Sequence, residues 1–183
     1  KLAASFETNK DLSIQEVCSA LVADHARNQM IVQDVLRTLT QGRSPVLLTE
    51  RREHLAVFAG ELSSLVPNVI VLKGGLGRRQ RHDLLEKISR IPDNEQRIIL
   101  ATGRYLGEGF DDARLDTLFL TLPVSWRGTL AQYAGRLHRL HAAKKEVIIY
   151  DYADLQVPVL ARMYERRRAG YRAIGYELDS RGD

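Results

Sequence analysis

The run PVLLT, from Pro45 to Thr49, is apolar up to its last residue, where a hydroxyl takes over. Short apolar runs return as NVIVL (Asn68–Leu72), RIILAT (Arg97–Thr102), DTLFLT (Asp116–Thr121) and EVIIY (Glu146–Tyr150). Short, β-rich runs that are almost continuously apolar suit strands buried on both faces, as in a parallel sheet covered by helices. The stretches between them carry helical patterning over Glu53–Leu65, Arg79–Ser89 and Leu130–Leu140. This alternation predicts an α/β fold: an open, mostly parallel sheet with helices on both faces and right-handed crossovers. Ligands of such sheets gather at the carboxyl ends of the strands.

Upstream of the sheet, residues 1–44 read as a helical arm, and residues 45–183 as the domain proper. Ser13 and Glu16 form a capping-box pattern, with Ile14, Val17, Ala20 and Leu21 as an apolar stripe. A second helix is expected over Asn28–Leu39, stopped by Gly42 and Pro45. Leu155–Ala169 reads as a closing helix, whose Arg166, Arg167 and Arg168 form a solvated end that suits the helix dipole.

A chain of 183 residues, 44% hydrophobic, can bury one substantial core. Its 27 basic and 23 acidic residues leave a charge of +4, which permits a polyanionic partner without requiring one. Cys18 is the only cysteine, so an intramolecular disulfide and a cysteine-based zinc site are excluded. It falls on an amphipathic helical run and is expected to pack in the core. No apolar run reaches membrane-spanning length and no signal-peptide pattern opens the chain, so a cytoplasmic location without membrane contact is expected. Because the first residue is Lys1, we expect a piece of a longer protein. The terminal Arg181-Gly182-Asp183 is read as chance or as a truncation point.

Chemistry concentrates at the strand ends. PVLLT is followed by Glu50-Arg51-Arg52, so Thr49 and Arg51 stand at a helix start that suits phosphate. NVIVL is followed by Lys73-Gly74-Gly75-Leu76-Gly77, a cation in a pliable loop. A dinucleotide fingerprint is rejected there, because Gln80 stands where the third glycine belongs. RIILAT leads through Thr102 and Gly103 into a loop with Gly107 and Gly109, then Asp111 and Asp112; Asp112 is open to a solvated reading. The stretch QYAGRLHR, Gln132–Arg139, places Arg136 and Arg139 at i and i+3, on one face of a helix. Two guanidinium forks so aligned suit the charge that builds on a departing phosphate. His25, His54, His82, His138 and His141 show no metal-ligand spacing, so no metal site is expected; His138 is expected to pack beside the arginines. A G-x-x-x-x-G-K-[ST] phosphate loop and a D-E-x-x acidic motif at the end of an apolar strand are both missing from the sequence, which leaves half a nucleotide site.

These residues together resemble the C-terminal, second RecA-like lobe of superfamily 2 helicases. PVLLTERREHL is similar to motif IV, LKGGLGRRQRHDLL to the block after it, ILATGRYLGEGFDD to motif V and QYAGRLHR to motif VI. Gln132 stands where the DEAD-box form has histidine, which places the likeness toward the restriction-enzyme and DEAH-like branch. The resemblance implies nucleotide contacts from Gly109, Asp111, Gln132, Arg136 and Arg139. Arg136 and Arg139 are the catalytic candidates, with Arg139 as the arginine finger. It implies backbone contacts to nucleic acid from Thr49, Arg51, Lys73, Gly74, Thr102 and Gly103. ATP and Mg2+ are the implied cofactors, the metal being held by an N-terminal RecA-like lobe of the same protein. The partners are then that lobe and a nucleic acid, with DNA favoured over RNA. The expected function is the motor lobe of an ATP-dependent helicase or translocase, inactive as an ATP hydrolase by itself. The alternative is a non-catalytic nucleic-acid-binding module that kept the fold.

Overall fold

Five parallel strands form one sheet: β1 (Pro45–Thr49), β2 (Asn68–Leu72), β3 (Arg97–Thr102), β4 (Thr117–Leu120) and β5 (Ile148–Asp151), in the order β2-β3-β1-β4-β5. The computed structural model describes residues 13–75, 77–103, 110–124, 130–142 and 144–179. Alternation along each strand sends side chains to two apolar layers. Leu47, Ile98, Leu100 and Phe119 face α2 (His25–Thr40) and α3 (Arg52–Ser63), meeting Ile31, Val35, Leu39, Leu55 and Phe58. Val46, Leu48, Ile70, Leu72, Ile99, Ala101, Leu118 and Leu120 face the opposite way. They pack with residues of α4 (Arg78–Ser89), α5 (Ala131–Leu137) and α6 (Pro158–Ala173). The helices on both faces and the parallel pairing are those expected.

The first two helices are fastened to this sandwich. α1 (Ile14–Ala23) begins with the expected capping box: Glu16 N–H donates to Ser13 Oγ, and Ser13 N–H to the Glu16 carboxylate. Its Val17 and Leu21 are buried with Leu122, Val157 and Leu160, while Ile14 stays exposed. Asp24 caps α2 by accepting from Arg27 N–H at 3.0 Å, so the helix starts three residues before the expected Asn28. Arg27 is buried and donates to the carbonyls of Thr121 (2.7 Å) and Tyr152 (3.4 Å), beyond the ends of β4 and β5. Asn28 Nδ2 donates to the Val22 carbonyl, and Asn28 Oδ1 lies 2.9 Å from His54 Nε2.

Three differences from expectation have clear causes. β5 begins at Ile148 rather than Glu146, because Arg43 takes the Glu146 carboxylate (3.0 Å) and carbonyl (3.1 Å). α5 ends at Leu137, because the Lys144 ammonium donates to the carbonyls of Leu137 (2.6 Å) and Arg139 (2.7 Å). The third concerns the arginine run. Arg167 is not solvated: it is 2% exposed and binds both carboxylate oxygens of Asp151 at 2.7 and 2.8 Å. Tyr171 donates to the same carboxylate at 2.9 Å, so α6 is latched to the end of β5. That helix starts at Pro158, where a missing N–H does no harm. Among the described residues no helix is long and apolar enough to cross a membrane.

Candidate functional site

The strand order brings the expected residues together. β2, β3 and β1 are neighbours, with Leu72 opposite Ala101 and Thr49 opposite Thr102. Lys73, Thr102 and the Glu50–Arg52 turn therefore lie at the ends of three adjacent strands, on one side of the sheet. Lys73 is exposed, and Gly74 is joined to the start of α3 by Arg52, whose Nη2 donates to the Gly74 carbonyl at 3.2 Å.

Thr49 supports this edge from inside. It is buried, its hydroxyl lies 3.1 Å from His54 Nδ1, and it accepts the Arg51 N–H at 3.3 Å. Burial, reinforced by the Arg27 charge, pushes His54 down to about 3, so the ring is neutral at physiological pH. Arg51 leans back to α1, donating to the Gln15 carbonyl at 3.4 Å.

The second group of residues meets at Phe110–Asp111. Arg136 on α5 donates through Nη1 to the Phe110 carbonyl. Arg139 lies two residues past the end of α5, its Nε 3.0 Å from Asp111 Oδ1. The two arginines thus reach consecutive residues, although they do not share a helix face as the spacing suggested. Gln132 is exposed at the start of α5, while Gly109 and Gly107 lie outside the described residues. Asp112, which could have been solvated, pairs at 2.6 Å with buried Arg97 and accepts the Arg114 N–H. His138 packs edge-on to Tyr176, 5.5 Å between ring centroids.

Sequence reasoning passed over Glu50 and Tyr133. A Cβ placed on Gly103 would overlap Glu50 Oε1 and fall 2.6 Å from Tyr133 Oη. The tyrosine is 2% exposed, and its phenol is pushed up to about 12, first by burial and then by the Glu50 charge. Glu50 is exposed as a whole residue, yet its carboxyl is shielded enough for burial to raise it. The only signal in the sequence was a glycine directly after a strand-end threonine.

No family model matches the chain. Transcript termination protein A18 of Fowlpox virus is 27% identical over 140 residues, which are 75% of this chain and 29% of that protein. Transcript termination protein OPG145 of Variola virus is 28% identical over 121 residues, 65% of this chain and 24% of its own length. The chain thus spans less than a third of the curated relatives it matches. Among solved structures, T4 UvsW superimposes with a TM-score of 0.72 at 16% identity, over 90% of this chain and 36% of that one. The C-terminal part of the Fun30 ATPase domain gives 0.62 at 18% identity, over 74% and 43%. S. cerevisiae Dbp5 bound to RNA and ADP BeF3 gives 0.58 at 14% identity, over 92% and 43%. These likenesses establish a RecA-like α/β fold.

Proposed function

We propose that this chain, which has the fold of the C-terminal RecA-like lobe of superfamily 2 helicases, serves as the second motor lobe of an ATP-dependent helicase or translocase. The observation that carries this reading is the convergence of Arg136 and Arg139 on Phe110 and Asp111. Arg139 is held by one contact to a carboxylate that is itself half exposed, so the exchange of that contact for a phosphate oxygen costs little. A guanidinium placed so acts on charge that develops as a phosphoryl group departs.

The acidic residues beside the pair do not suit magnesium. Asp111 faces Arg139 and Asp112 faces Arg97, and among the described residues no cluster of carboxylates stands beside the arginines. We therefore assign the phosphate loop and the Mg2+ ligands to an N-terminal lobe. The poxvirus relatives extend well beyond the matched segment, which leaves room for one. At the other edge, Lys73, Gly74, Thr102, Gly103 and Arg51 would follow a nucleic-acid backbone, with Thr49 bracing them from within. Such contacts position a strand without reading its sequence. The names of the relatives speak of transcripts and Dbp5 is bound to RNA, so we extend the proposal to either nucleic acid.

In the full-length protein, Arg139→Ala should lower nucleic-acid-stimulated ATP turnover by about 10³-fold. Binding of ATP and of an oligonucleotide should stay within about twofold, because the residue acts on the transition state. Arg139→Lys should not restore turnover, since a point charge lacks the planar fork. Turnover near that of the natural sequence in Arg139→Ala, with strand binding intact, would favour the non-catalytic binding module instead.

A further inference from the structure

The space beside Gly103 is claimed from two sides. The Glu50 carboxyl reaches it from the end of β1, and the Tyr133 hydroxyl reaches it from α5. Glu50 Cδ would stand only 2.9 Å from a Cβ at this position, and Tyr133 Oη 2.6 Å. Real Cβ contacts do not come that close, so the two polar tips occupy the volume of the side chain that glycine lacks. Three elements meet here through atoms rather than through a loop: β1 by Glu50, β3 by Gly103 and α5 by Tyr133.

What these elements carry makes the junction informative. Thr102 and Gly103 belong to the edge assigned to the nucleic-acid backbone. Tyr133 is three residues before Arg136, hence its neighbour along the helix surface. The Arg136 charge acts on the phenol as well, opposing the upward push of Glu50. The ring of Tyr133 is sealed in the core with Leu130 and Leu137, so it shifts only together with α5. A phosphate arriving at Thr102–Gly103 would repel the Glu50 carboxylate, and the carboxylate shares its space with the tyrosine hydroxyl.

We propose that Glu50 and Tyr133 are positioning residues that couple nucleic-acid contact at Gly103 to the placement of Arg136 and Arg139. The inference rests on the motor-lobe reading above and adds the means by which one edge of the lobe informs the other. Neither side chain touches a reacting atom in this scheme. Their effect is confined to how far a bound strand accelerates the arginine site.

The test is steady-state ATP turnover of the full-length protein with and without saturating single-stranded poly(dT) or poly(rU), the better activator being used. Tyr133→Phe removes one oxygen and keeps the ring in the core. It should lower the ratio of stimulated to basal turnover by at least about fivefold, the lower end of ordinary coupling between sites. Basal turnover and the KM for ATP should not change. Glu50→Gln keeps the shape without the charge and should lower the ratio as well, while strand affinity rises. The double variant should be no worse than the more affected single one, because both act through one contact. Stimulation unchanged in Tyr133→Phe and Glu50→Gln would overturn the inference, as would a parallel fall of basal and stimulated rates. If the natural sequence shows no stimulation by either strand, the motor-lobe reading itself fails and the coupling falls with it.

Discussion

Two arginine–aspartate pairs in this molecule share a chemistry and differ in everything around it. Arg167 and Asp151 meet through two parallel bonds, with side chains 2% and 9% exposed, and Tyr171 and the Val124 carbonyl complete the shell. Arg139 and Asp111 meet through one contact, with side chains 56% and 49% exposed. The buried pair is cooperative with the fold, because removing either partner would strand a charge out of water. The exposed pair competes with water at every moment and holds its arginine only loosely. A fastening and the proposed working part are thus built from the same two residue types. Solvent access decides which of them is made.

The largest effect should come from the fastening. Arg167→Ala leaves Asp151 buried without its counter-charge and should cost about 3–5 kcal/mol of unfolding free energy. Urea unfolding at neutral pH measures this; a loss below about 1 kcal/mol would mean that the pair behaves like a surface one.

A buried group without a counter-charge extends the contrast. His54 titrates at about 3 in the fold, against an ordinary 6.5. Between those values the unfolded chain holds one more proton, so stability rises with pH and is complete above about 6.5. Below that it should fall by up to about 1.4 kcal/mol per pH unit from this residue alone. Unfolding measured from pH 7 to 4.5 should show the decline in the natural sequence and a shallower one in His54→Gln. Equal slopes would show that the ring is not shielded from solvent.

The smallest effect belongs to the exposed pair. Arg139→Ala should change unfolding free energy by less than about 1 kcal/mol. A larger loss in urea unfolding would make Arg139 a structural residue and erase the distinction drawn here.

The strands were legible because all five runs are almost continuously apolar, and the three central ones, β1, β3 and β4, are buried on both faces. The capping box of Ser13 and Glu16 was legible because its partners are three residues apart. What escaped depends on residues far away in sequence. Nothing in Arg166-Arg167-Arg168 tells which of the three points inward; Asp151, sixteen residues before Arg167, chooses the middle one. Lys144 ends α5 from seven residues downstream of Leu137, so the helix face assumed for Arg139 did not exist. The site shows the same division. Arg136, Arg139 and Asp111 were singled out by residue type and by resemblance, and the fold brings these three candidates together. Glu50 and Tyr133 were missed, since a carboxylate and a phenol converging on a glycine leave no trace in local spacing.

The placement of α2 bears on how such a lobe can change hands over evolutionary time. Its Ile31, Val35 and Leu39 fill one face of the sheet, and its Arg27 and Asn28 are tied to β4, β5 and His54. A recombination that joined foreign sequence at Pro45 would import every motif and leave behind the helix on which they rest. The heritable unit is therefore longer than the stretch that carries the motifs. It takes in α1 as well, whose Val17 and Leu21 are buried with Leu122, Val157 and Leu160.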